Sequence, residues 1–203
     1  MKFSIQEIIE DFKYWKEGKF STKAEIEFSN LFKEALENNN LTQLSEYFKL
    51  WDDREGRFSF DKLTRNYVAY HKGLEFGFET ISFDTYGWLE CPKWLDVEEI
   101  EFKCKGTYLV NKITVGKGKN NLWVYGLYWG FAFGGGAFGL NVFNESFDSY
   151  EIVVEVALRD MLKRLTKENG NNNSKELREI IKQIEYKLTE LTKIDRNNQL
   201  SFF

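Results

Sequence analysis

Gly134, Gly136 and Gly139 stand at the G-x-G-x-x-G spacing with which dinucleotide-binding loops wrap a pyrophosphate. Glycine serves there because a bare Cα lets backbone N–H groups approach the phosphate. That chemistry also needs a strand entering the loop, a helix starting on it, and an acidic residue about 20 residues further on. The strand is present in "LWVYGLYWGFAF", residues 122–133. The helix is late, because "LNVFNESF" separates Gly139 from a cap at Asp148, and the Lys-Ser/Thr ending of a P-loop is missing. The residues therefore favour a backbone role for these glycines. A nucleotide or small-ligand loop, or an enzyme site, at Gly134, Gly136 and Gly139 is the alternative.

Other groups capable of chemistry are scattered. "WDDREGRFSFDK" has the outline of a calcium loop, with Asp53, Glu55, Gly56 and Phe58 in register. Its first position is Trp51, however, and its twelfth is Lys62, where a bidentate Glu is required. His71 is the only histidine, at the end of a predicted helix, where an imidazolium interacts with the terminal carbonyls. Cys91 and Cys104 are not at zinc-ligand spacing and have no second pair. Alternation puts Glu99 and Glu101 on one strand face with Lys103 and Lys105, the pattern of a solvated sheet face. No metal, no cofactor and no catalytic set is expected.

The elements that position these groups change character at Gly73. Before it, apolar residues recur at helical spacing in four short runs. Ile5, Ile8, Phe12 and Trp15 form the first; Thr22 and Glu25 have capping-box spacing ahead of Phe28, Leu31, Phe32 and Ala35. Leu44, Tyr47, Phe48 and Trp51 form the third, and a fourth helix runs from Ser59 to Lys72, stopping at Gly73. Beyond it "LEFGFETISF" alternates like a strand, "EIEFKCKGTYLVNKITV" reads as one or two strands, and "GKGKNN" as a hairpin turn into Leu122–Phe133. In that last strand Trp123, Tyr125, Leu127, Trp129, Phe131 and Phe133 share one face, opposite the mostly small Val124, Gly126, Tyr128, Gly130 and Ala132. A small face admits another backbone closely.

Helices are predicted over Ser149–Lys167 and Ser174–Ile194, joined by the polar loop "ENGNNNS". Val154, Leu158, Met161 and Leu165 form a narrow seam on the first, and Leu177, Ile181, Ile184, Leu188 and Leu191 on the second. An antiparallel αα-hairpin follows. Its seam is expected to pack inside the chain; contact with a partner through Ile184, Leu188 and Leu191, or a homodimer, is the alternative. The fold class is α+β, with a helical N-terminal subdomain over 1–72 and, over 73–203, an antiparallel sheet with a C-terminal helical hairpin.

Composition narrows the function. Of 203 residues 42% are hydrophobic, 30% charged and 17% aromatic, a globular chain with a bulky core or aromatic contact surface. The formal charge of −4 gives no general attraction for nucleic acid or anionic lipid. No charge occurs between Leu122 and Asn144, so an aromatic base-stacking sheet lacks cations there. The same stretch is long enough for a membrane helix, but three consecutive glycines and the period-two alternation favour a strand. Two cysteines and an acidic N-terminal segment in place of a signal peptide point to the cytoplasm.

From Trp123 in "WVYGL" to Leu165 in "YEIVVEVALRDMLKRL" the chain resembles small domains in proteins of bacteriophages and bacterial mobile elements. The shared outline is a Trp-containing strand, a Gly-rich stretch, and a helix of the type A-L-x-x-M/L-L-x-x-L. The resemblance implies an accessory setting and transfers no site residue. The expectation is a non-enzymatic cytosolic binding protein, a phage-type or mobile-element inhibitor or accessory factor, acting through contacts with a protein partner.

Overall fold

A computed structural model of the chain describes residues 5–16, 22–52, 58–106, 110–131, 134–172 and 174–200. It is an α+β protein that divides into two compact units, Met1–Pro92 and Lys93–Phe203. The segment 73–92, grouped with the sheet in the sequence reading, belongs by its contacts to the first unit.

The first unit contains α1 (Ile5–Lys16), α2 (Lys23–Glu37), α3 (Leu41–Phe48) and α4 (Phe60–Glu75). The capping box starts α2 as expected: Glu25 N–H donates to Thr22 Oγ1 at 3.3 Å, and Thr22 N–H to Glu25 Oε2 at 2.9 Å. Phe28, Phe32, Phe60 and Leu63 are fully buried, and Phe60 packs edge-on against Phe12 with ring centres 4.9 Å apart. Phe60 N–H also donates to Asp11 Oδ2 at 2.6 Å, which satisfies an orphan donor in the first turn of α4 with a carboxylate from α1.

α4 does not stop at Gly73. It ends at Glu75, because the left-handed residue is Gly77, with φ 77°. Phe78 N–H bonds Gly73 O at 3.0 Å and Gly77 N–H bonds Leu74 O at 2.9 Å, a Schellman close. "LEFGFETISF" is accordingly no strand. Phe76 and Phe78 are buried core plugs, and the only pairing described nearby is an isolated bridge between Phe83 and Leu89. A buried helix side chain supplies what a strand partner would have. Asn66, 1% exposed, donates to Leu50 O and Gly87 O at 3.1 and 3.0 Å and accepts from Leu89 N–H at 2.9 Å.

The second unit is an antiparallel meander in spatial order β1 (Leu95–Lys103), β2 (Val110–Lys117), β3 (Trp123–Phe131), β4 (Gly134–Phe138), followed by α5 (Tyr150–Asn172) and α6 (Lys175–Leu200). The predicted turn joins β2 to β3, with Asn121 at φ 70° and Gly118 N–H bonded to Leu122 O at 2.7 Å. α5 runs through most of the expected polar loop. Ser174 then caps α6, its Oγ accepting from Leu177 N–H at 3.0 Å. α5 lies along β3, and α6 along α5 and β1. Ile113, Val115 and Leu127 of the sheet meet Val153, Val154, Ala157, Leu158, Met161 and Leu165 of α5 and Leu177, Ile180 and Ile184 of α6 in one core.

Candidate functional site

The glycines of the nucleotide-like spacing do not form a loop. Gly134 and Gly136 lie in β4, where Phe131 pairs with Gly134 and Trp129 with Gly136. Large rings on β3 lean across the bare Cα atoms opposite. A Cβ on Gly136 would sit 2.4 Å from the Trp129 indole, and one on Gly134 would sit 2.9 Å from the Phe131 ring. An aromatic ring covering a cross-strand glycine offsets the missing side chain of an edge strand. Gly139 follows β4 and its carbonyl accepts from Asn144 Nδ2 at 2.9 Å. α5 begins only at Tyr150, so no helix N-terminus opens on these glycines.

The small face of β3 does admit a backbone. A Cβ on Gly126 would lie 2.7 Å from Phe138 O and 2.8 Å from Gly139 C, because the chain leaving β4 crosses directly over it. Leu140 reaches Gly116 in the same crossing, where a Cβ would meet its Cδ1 at 2.6 Å. Asn144 pins the crossing by donating also to Tyr125 O at 2.9 Å, and Phe147 exchanges two 2.8 Å backbone bonds with Trp123.

The aromatic face of β3 turns inward to the helices. Arg164 of α5 lies over Trp129, its Cζ 4.3 Å from the ring centre, and its Nε and Nη2 donate to Asp160 at 2.9 and 3.1 Å. Tyr125 donates its hydroxyl to Asp160 Oδ2 at 3.3 Å. Burial, with the Asp160 charge and hydrogen bond behind it, pushes the Tyr125 hydroxyl up to about 12. Asp160 and Arg164 carry a sequence signal separate from the apolar period of the helix, an acid four residues ahead of a base. Nothing local in the sequence marks Trp129 as their third member.

The remaining groups tie elements together. Tyr150 donates to Glu98 Oε2 at 2.7 Å, and burial foremost, then Glu98, raises its pKa. Cys104 is buried and its thiol donates to Glu179 Oε2 at 3.3 Å; burial and that carboxylate push the thiol up. Cys91 is exposed. Glu99 pairs with Lys112 at 2.6 Å and Glu101 with Lys103, all on the open face of the sheet. His71 has its ring centre 4.1 Å from that of Tyr67, and burial lowers its pKa; this favours the neutral ring rather than the imidazolium expected from its helix position. Asp53, Glu55 and Gly56 of the calcium-like outline lie outside the described residues. Lys62, at its twelfth position, is buried with Nζ 2.7 Å from Tyr86 O and within cation–π distance of Trp51 and Trp88. Among the described residues no group of three or more His, Cys, Asp or Glu is placed to hold a metal ion. Among the described residues no helix is long and apolar enough to cross a membrane.

Ile184 is fully buried in the core of its own unit, beside Leu177 and Ile180 of α6 and the inward residues of α5 and the sheet. Leu188 and Leu191 are half-buried against the same core. Ile180, outside the predicted seam, is fully buried as well, because the sheet covers a wider stripe of α6 than a partner helix alone would. Compared with protein-family models, curated proteins and solved structures, the chain matches none.

Proposed function

We propose that the chain is a non-enzymatic, cytosolic protein-binding protein, an inhibitor or accessory factor of the bacteriophage or mobile-element kind, that acts by contact with another protein. One observation carries this reading: among the described residues of the second unit, three groups of side chains able to do chemistry fasten one element to another. Tyr125, Asp160 and Arg164 tie β3 to α5, Tyr150 and Glu98 tie α5 to β1, and Cys104 and Glu179 join the end of β1 to α6. A general acid or nucleophile has to face substrate instead. The nucleotide-binding alternative, through Gly134, Gly136 and Gly139, is disfavoured by the Trp129 and Phe131 rings that fill the space over two of the three Cα atoms.

The test is purification of a tagged full-length chain from its host, with a second measurement on the same sample. A stoichiometric host protein that survives stringent washing and reassembles from purified components supports the proposal. A nucleotide or other small molecule released on denaturation and identified by mass spectrometry, at one per chain and without any protein partner, would overturn it.

A further inference from the structure

We infer that the outer edge of β4 receives an extended peptide segment of another protein as an added antiparallel strand, with apolar residues at every second position. This rests on the protein-binding reading and names its surface. Gly130 N–H donates to Asn111 Oδ1 on the β2 side at 3.0 Å, so the even-numbered residues of β3 face β2 and the odd-numbered ones face β4. Gly134, Gly136 and Phe138 consequently face β3, and Gly135 and Ala137 direct N–H and C=O outward. Both residues are exposed, and among the described residues nothing bonds this side of β4. A row of unpaired backbone donors and acceptors is completed by another strand.

The side chains on either side of that row say what the strand must look like. On the helix side Trp129 and Phe131 lean over Gly136 and Gly134 toward the edge and remain only half-buried. The residues of an added strand that stand opposite these glycines therefore meet ring edges, which rewards apolar side chains two apart. The segment from Leu122 to Asn144 carries no charge, and Arg164, which lies over Trp129, is paired with Asp160. A second copy is the poorer occupant. Pairing over the five residues of β4 extends only about 17 Å, a short seam on which to build the roughly 1,000 Å² that a stable dimer buries.

The experiment selects short random peptides, displayed on phage, against the full chain. Bound peptides are then followed by amide hydrogen exchange at Gly135 and Ala137. The expected result is enrichment of alternating apolar sequences that slow exchange at Ala137. Their affinity should fall about tenfold or more in Ala137→Pro, which removes an outward donor that an edge strand does not use internally. Should Ala137→Pro fail to fold, N-methylation of alternate nitrogens in the selected peptide removes the same bonds from the other side and should weaken binding to wild-type protein equally. Failure to enrich any peptide overturns the inference. So do peptides that bind without slowing Ala137 exchange or that tolerate N-methylation; these would leave the protein-binding reading standing on another surface. Exchange protection at Ala137 that grows with protein concentration in the absence of peptide would assign the edge to a second copy, and would also overturn it.

Discussion

β1 and β4 bound the same sheet on opposite sides and are defended differently. β1 carries Glu98, Glu99, Glu101 and Lys103, has a bulge between Leu95 and Glu98 with Asp96 at φ 46°, and gives its Lys103 carbonyl to Gln183 of α6 at 3.0 Å. Charge, a bulge and a covering helix are the devices by which proteins discourage a further strand. β4 has none of these. Its sequence is Gly-Gly-Gly-Ala-Phe, and its interactions are directed inward, to the rings of β3. The difference teaches that the glycines are a solution for pairing β4 tightly under aromatic rings, and that among the described residues this solution leaves the edge without the devices seen on β1.

The largest expected effect comes from the helix that covers the β1 side. Ile184→Asp puts an unpaired carboxylate into the core one residue from Gln183. Truncating such a side chain alone costs about 2–5 kcal/mol, and a buried charge adds to that. Loss of the cooperative transition of the second unit in urea is the expected outcome. A folded mutant with wild-type melting would show that α6 does not hold the β1 side.

Next comes the interlock beneath β4. Gly136→Ala drives a methyl into the Trp129 indole and should cost about 1–3 kcal/mol, with a shift in tryptophan emission as the ring moves off Arg164. An unchanged melting curve and spectrum would remove the interlock as the reason for glycine.

The anchor of the same region is pH-dependent. The Tyr125 hydroxyl titrates at about 12 in the fold against an ordinary 10.0. A raised folded-state value means that its contribution is complete below pH 10 and is lost as pH rises toward 12. Tyr125→Phe should therefore flatten the decline of melting temperature across that window relative to wild type, whereas Glu101→Gln on β1 should leave the decline as it is.

The smallest effects sit on the guarded edge itself. Glu99→Gln exchanges an exposed pair with Lys112 and should change stability by no more than about 0.5 kcal/mol. Asp96→Gly relieves a left-handed non-glycine residue and should stabilise by about 1 kcal/mol or less. A large loss in either variant, read by urea denaturation, would mean that the charges and bulge of β1 are structural rather than protective.

Local chemistry made much of this protein readable. The capping box at Thr22 and Glu25, the turn at Gly118–Asn121, the exposed Glu99 and Glu101 face and the seams Val154–Leu165 and Leu177–Leu191 depend on interactions within a few residues or on a simple period. The α+β class follows from that order of periods. Three matters were decided only by the tertiary structure. "LEFGFETISF" alternates like a strand, yet Phe76 and Phe78 fill a core and Asn66, remote in sequence, satisfies the backbone that follows. Gly134 and Gly136 match a phosphate loop in spacing, yet the rings that require them to be glycine come from a strand paired in a register that no local pattern specifies. The seam of α6 is expected to pack inside the chain, but its apolar stripe does not record that the sheet as well as α5 covers it, which is why Ile180 is buried beside Ile184.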